Sequence, residues 1–293
     1  MLQISPTAVV FPGQGSQTAG MRELVADVRP DLLAAAIELV GEDPFPRVAE
    51  STRFAQPAIF CASLAGWTLI REHVAPLAVA GHSLGELSAL AAAQVIDEID
   101  ALRLVTLRGH LMDVSCAASR GGTMLAVQGA SPAQAAALAA RHDVSVANDN
   151  SPSQVVLSGS YDAIDAAERE ARCTGLRVTV LDVAAAFHSP HMRHAVQPFR
   201  EALDEVRIRR AEIPVLSCAS AQPFRDPARE IALALVRPVR WRETMIALAA
   251  SGACTFVDAG PGTMLAALAS QCVPGVVAVP QHRFVEPARS AAA

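Results

Sequence analysis

The chain has 293 residues, 52% of them hydrophobic and 18% charged, and a formal net charge of −5. That balance fits one large folded domain, or a large one with a smaller companion, and excludes a disordered or generally nucleic-acid-binding chain. All 24 basic residues are arginine, which excludes a serine–lysine dyad, a Schiff-base lysine and a lysine-dependent phosphate loop together.

No apolar run reaches membrane-spanning length without a charge or proline. Met1-Leu2-Gln3-Ile4-Ser5-Pro6 lacks the basic-then-apolar order of a signal peptide, so a cytoplasmic protein without membrane contact is expected. Cys61, Cys116, Cys173, Cys218, Cys254 and Cys272 stand singly in apolar or helical surroundings, which implies buried free thiols in a reducing compartment.

In chain order, Ala8–Phe11 predicts a buried strand ending in the turn Pro12-Gly13-Gln14-Gly15-Ser16-Gln17. Amphipathic helices follow around Met21–Val28 and Leu32–Val40, and Gln56–Ile70 predicts a helix started by Pro57. Leu77–Ala80 is short, apolar and β-compatible; Glu86–Ala93 is a strong helix former. Between them Gly81-His82-Ser83-Leu84-Gly85 fits Gly-x-Ser-x-Gly, the tight strand-to-helix turn that exposes a serine Oγ beside free N–H groups at a helix N-terminus. Another helix spans about Ile99 to Val114.

After Gly121-Gly122 the pattern changes. Strand Thr123–Val127, helix Pro132–Arg141, strands Val144–Asn148 and Gln154–Ser158, helix Asp162–Thr174 and strand Leu176–Leu181 follow in a β-α-β-β-α-β order. The expected fold is therefore α/β, with an α/β-hydrolase-like large domain over 1–117 and 187–293 and a ferredoxin-like small domain inserted at 118–186. Pro214–Cys218, Thr255–Val257 and Val276–Val279 complete the strands of the large domain.

A serine nucleophile needs a base, and eight histidines compete. His82 lies inside the turn and points away from the serine; His73, His110 and His142 occupy helical or turn segments at the surface. His188 follows a run of small residues and Phe187 where the inserted unit returns to the large one, a place where clefts form. His188, His191 and His194 have no acidic or cysteine partners that would support a metal site. Against His188 stands the chain order Ser83, Asp258, His282, that of a hydrolase triad and an esterase. On pattern alone the two stay close.

The rest of the chain separates them. Val10-Phe11-Pro12-Gly13-Gln14-Gly15-Ser16-Gln17, Gln56-Pro57-Ala58, Gly81–Glu86, Leu107-Arg108-Gly109, Asn150-Ser151-Pro152, Phe187-His188-Ser189 and Pro238-Val239-Arg240-Trp241 occur in one order at characteristic intervals. Together they resemble the malonyl-CoA:acyl-carrier-protein transacylases and the acyltransferase domains of polyketide and fatty-acid synthases, from Val9 to about Val279. The resemblance implies Ser83 as nucleophile, His188 as base and the N–H groups of Gln14 and Leu84 as oxyanion hole. It implies Arg108 as partner of a malonyl carboxylate, with Gln56 lining the same pocket and Phe187 setting the size of the α-substituent. A backbone carbonyl would orient His188; the glutamine that commonly supplies it is missing from Leu233-Ala234-Leu235-Val236-Arg237-Pro238.

The implied activity moves malonyl from malonyl-CoA to the phosphopantetheine thiol of an acyl carrier protein, for fatty-acid or polyketide synthesis, without cofactor or metal. The carrier, and polyketide synthase modules, are the implied partners. Arg207, Arg209 and Arg210, or Arg237, Arg240 and Arg242, are candidate docking residues for an acidic carrier. Alternatives are a related acyltransferase or editing hydrolase with another acyl group, or the Ser83–Asp258–His282 esterase.

Overall fold

The computed structural model describes residues 5–118, 121–183 and 185–283; both ends of the expected large domain, including the limits at 1 and 293, lie outside the described residues. Strand β1 (Thr7–Phe11) leads through α1 (Met21–Val28), α2 (Pro30–Val40) and α3 (Thr52–Ile70) to β2 (Pro76–Gly81), α4 (Gly85–Ala92) and α5 (Glu98–Ala118). Next come β3 (Thr123–Gln128), α6 (Pro132–Arg141), β4 (Ser145–Ser151), β5 (Gln154–Gly159), α7 (Tyr161–Cys173) and β6 (Arg177–Val180). The chain ends with α8 (Arg193–Asp204), β7 (Val215–Ser217), β8 (Gln222–Pro223), α9 (Pro227–Ala234), α10 (Trp241–Ala250), β9 (Thr255–Asp258), α11 (Met264–Cys272) and β10 (Val277–Pro280).

The strands form two sheets. The larger has the order β10-β9-β1-β2-β7-β8 and is parallel except for the β7–β8 pair. Side-chain alternation divides its faces. Val9, Phe11, Val79 and Val257 join a large core with α1 to α5, α8 and α9. Ala8, Val10, Ala78, Ala80 and Phe256 face a second core closed by α10 and α11. A parallel sheet buried on both faces explains the continuous apolar runs of its strands.

The smaller sheet has the order β4-β5-β3-β6, antiparallel throughout. Numbered within the unit, that is 2-3-1-4, the ferredoxin-like arrangement. Its own core contains Leu125, Val127, Leu157, Ile164 and Ala167, with α6 and α7 packed on it.

Two local expectations change. Helix α3 starts at Thr52, not near Pro57: Ser51 accepts a hydrogen bond from Arg53 N and caps it, and Pro57 sits inside the helix. Inside the helix Pro57 forfeits the bond to the carbonyl of Arg53 and its ring crowds that carbonyl, a local cost offset by the Ser51 cap and by the burial of most of α3. The cysteines also divide. Cys61, Cys218 and Cys272 are buried, whereas Cys173 and Cys254 are exposed free thiols. Cys173 ends α7 and Cys254 lies just before β9, at boundaries where the local apolar pattern has run out. The side chain of Cys116 lies outside the described residues.

Candidate active site

The turn between β2 and α4 is held by His82 N donating to Phe11 O, Gly85 N to His82 O and Glu86 N to Ser83 O. Ser83 adopts φ 53°, the left-handed conformation that lifts a side chain out of such a turn. A Cβ at Gly81 would lie 1.8 Å from Gly85 C, and one at Gly85 would lie 2.0 Å from Phe11 O. Both flanking glycines are therefore dictated by close backbone approach.

The neighbouring strand β1 ends in the Gly13–Ser16 turn. A Cβ at Gly13 would lie 2.6 Å from His82 O, so this turn is tucked directly against the serine turn. Gln14 and Leu84 consequently line one cleft with Ser83.

His188 Nε2 lies 2.7 Å from Ser83 Oγ. His188 Nδ1 faces two carbonyls, Ala234 O at 2.9 Å and Arg237 O at 3.0 Å. With Nδ1–H donating to them, Nε2 keeps its lone pair for the serine proton. Burial first, and the Arg108 charge second, push the His188 imidazolium down to about 3, so the ring is neutral. His188 also has a positive φ, 55°.

The rival triad does not assemble. Asp258 accepts from Gly260 N at 3.2 Å and Leu265 N at 3.1 Å, holding the loop into α11 rather than a histidine. Its carboxyl is raised to about 7 by burial. Among the described residues no His/Cys/Asp/Glu group of three comes together to hold a metal.

Helices α3 and α5 pack closely, with Thr52 Oγ1 donating to Gly109 O at 2.7 Å. This contact brings Gln56 and Arg108 together. Arg108 Nη1 donates to Gln56 Oε1 at 2.7 Å and Nη2 donates to Ser83 Oγ at 3.2 Å. Gln56 Nε2 lies 3.2 Å from Met112 Sδ, which fixes the amide. Arg108 is 4% exposed and so is no surface ion-pair residue. Burial lowers its guanidinium to about 10, against the opposing pull of Glu86, and leaves it charged at neutral pH. The cleft, about 500 Å³, is lined by Gln14, Gln56, Ser83, Arg108, Phe187 and His188 among others.

Sequence reasoning did not single out Glu86. Its Oε1 accepts from Ser217 Oγ at 3.0 Å and Cys218 N at 2.7 Å, tying α4 to the end of β7. Burial raises its carboxyl to about 7 despite those bonds and the nearby Arg108. A glutamate directly after Gly85, the closing glycine of the serine turn, was the available signal. His82 Nε2 lies 2.9 Å from Asn150 Oδ1, and its ring packs edge-on against Trp241. Of the arginines considered for docking, Arg240 pairs with Glu243 and Arg242 with Asp149. Arg207, Arg209, Arg210 and Arg237 are exposed.

A serine hydroxyl hydrogen-bonded to a neutral imidazole, with a buried cation in the same cleft, suits acyl transfer of an anionic acyl group. The acyl transferase domain family model matches residues 8–286. This chain belongs to the acyl transferase family. As a member of that family it is 35% identical over 289 residues to the polyketide biosynthesis malonyl CoA-acyl carrier protein transacylase PksC of Bacillus subtilis, spanning 93% of this chain and 99% of that protein. It is 36% identical over 287 residues to the polyketide biosynthesis protein ThaF of Burkholderia thailandensis; that alignment spans 92% of this chain but only 24% of ThaF. The crystal structure of malonyl-CoA:acyl carrier protein transacylase FabD from Xanthomonas oryzae pv. oryzae superposes with a TM-score of 0.89 at 32% identity, covering 98% of this chain and 97% of that one. Acyl transferases of this family are thus found both as separate chains and within larger proteins.

Proposed function

We propose that this acyltransferase carries malonyl from malonyl-CoA to the phosphopantetheine thiol of an acyl carrier protein, by a ping-pong route through a malonyl-serine ester. The observation that carries the reading is Arg108, a buried cation 3.2 Å from the nucleophile. A guanidinium in that place matches the free carboxylate of a malonyl thioester bidentately and offers a plain acyl chain nothing.

Ser83 Oγ attacks the thioester carbonyl and its proton passes to His188 Nε2. The oxyanion accepts hydrogen bonds from the N–H groups of Gln14 and Leu84. Collapse breaks the C–S bond, and the CoA thiolate leaves with the proton from His188. The carrier thiol then gives its proton to His188 and attacks the ester, and Ser83 departs as the alcohol, reprotonated by His188. These residues and backbone amides account for every step without a cofactor. Gln56 holds Arg108, and Phe187 closes the cleft near the α-carbon of the acyl group.

The names of the relatives support service to fatty-acid or polyketide synthesis, with carrier proteins or polyketide synthase modules as partners. We place the domain division at 1–117 with 187–293 against 118–186, and the enzyme in the cytoplasm; no described helix is long and apolar enough to cross a membrane.

Intact-mass measurement after incubation with malonyl-, acetyl- and propionyl-CoA tests the assignment. A malonyl adduct is expected, absent in Ser83→Ala and discharged by a holo carrier protein. Equal labelling by acetyl or propionyl would overturn the role of Arg108.

A further inference from the structure

Of the two carbonyls that receive His188 Nδ1–H, Ala234 O ends α9 and Arg237 O lies in the segment after it, and that segment is clamped from two sides. On one side lies edge strand β4 of the small sheet. Asp149 N donates to Val239 O and Val239 N donates to Ala147 O, both at 2.8 Å, and Asn148 forms a parallel bridge with Val239. On the other, Arg240 N donates to Cys218 O at 2.7 Å, at the end of β7. One ion pair closes the seam. Arg242 Nη2 donates to Asp149 Oδ2 at 2.7 Å and Nε to both carboxylate oxygens at 3.1 and 3.2 Å. Both side chains are largely buried, at 25% and 16% exposure. Pairs so placed hold geometry better than exposed ones such as Arg169–Asp165 on α7.

We propose that Asp149 and Arg242 are positioning residues for the catalytic base: by holding β4 on Val239 they fix the Arg237 carbonyl two residues earlier, and with it the tautomer and ring orientation of His188. The imidazole is thereby held by both carbonyls only while the small sheet is docked. Arg242 thus serves the base and not a carrier protein. The inference rests on His188 being the base for Ser83.

The test compares Asp149→Ala, Arg242→Ala and the charge-swapped double variant, Asp149→Arg with Arg242→Asp. Asp165→Ala serves as the surface-pair control. Single-turnover acylation of Ser83 by malonyl-CoA is expected to fall about 10- to 100-fold in each single variant, as small misplacements of reacting groups do. KM should stay within about twofold, since neither residue lines the acyl pocket. Spectra of [15N]histidine-labelled protein are expected to show His188 as the Nδ1–H tautomer in the parent and as a mixture in the single variants. Partial recovery of both readouts in the swap, with none lost in Asp165→Ala, supports the proposal. Unchanged acylation, or loss that follows only the folded fraction while the tautomer persists, overturns it. A His188→Ala variant that still acylates would instead remove the base assignment beneath it, an outcome separable from the first two.

Discussion

At the scale of single residues, the cleft works because three groups with opposing needs share it. In the proposed transfer His188 must be neutral to accept a proton, and burial beside Arg108 keeps it so. In that same proposed transfer Arg108 must stay charged to receive a carboxylate, and it does so although burial lowers its pKa to about 10. Ser83 Oγ lies between them, 2.7 Å from the imidazole and 3.2 Å from the guanidinium. A carboxylate entering the cleft would compete with Ser83 for Arg108 and release the hydroxyl toward His188. Arg108→Gln keeps a donor near Gln56 but removes the charge. Truncating one member of a buried charge pair costs on the order of 2–5 kcal/mol. Malonyl transfer should therefore fall at least about 30-fold while acetyl transfer falls far less, measured as the ratio of kcat/KM for the two acyl-CoAs. An unchanged ratio would mean that the carboxylate is bound elsewhere.

At the scale of elements, the serine turn Gly81–Gly85 was legible because its constraints are local. Glycine is needed at both ends of five residues, and each end meets backbone that leaves no room for a side chain. In Gly85→Ala the new Cβ would lie 2.0 Å from a backbone oxygen of β1, which cannot move without disturbing the central strand. Gly41 offers the contrast: it caps α2 at φ 86°, and a Cβ there would meet nothing within 4 Å. Gly85→Ala should cost at least about 3 kcal/mol, and Gly41→Ala about 1 kcal/mol from the left-handed backbone alone, by urea denaturation. The β-α-β-β-α-β order of the inserted unit was likewise legible, since strand alternation and the helix starts at Pro132 and Tyr161 are short-range signals. What orients His188 was not. Any residue offers a carbonyl, so Ala234 and Arg237 have no sequence signature, and only the end of α9 and the path after it select them. The two-residue strand β8 is too short to leave a pattern. The start of α3 was hidden because Pro57 usually signals a beginning, and the capping Ser51 looks like any loop serine.

At the scale of the whole molecule, the sheets, their helices and the seam at β4 converge on a site that buries His82, Glu86, Arg108 and His188 together. Glu86 is the clearest case, 1% exposed and engaged with the end of β7. Its ordinary value of 4.5 rises to about 7, chiefly through burial. The folded protein therefore holds a proton there that the unfolded chain releases between about pH 4.5 and 7. Stability associated with Glu86 is fully present below that window and is lost as pH rises through it. His188 works in the opposite sense, its value falling from 6.5 to about 3, so its share of stability grows across that range. The two trends overlap in the parent protein and a single pH–stability curve cannot separate them. Glu86→Gln can. Both observed bonds end on one oxygen, Oε1, which glutamine reproduces, so the variant removes the titration while keeping the acceptor. Relative to the parent, the variant should be more stable at pH 8 than at pH 5 by on the order of 2 kcal/mol. Urea denaturation of both proteins at the two pH values measures that difference. Were Glu86 to titrate in the folded state as it does in the unfolded chain, the difference between the proteins would be the same at both.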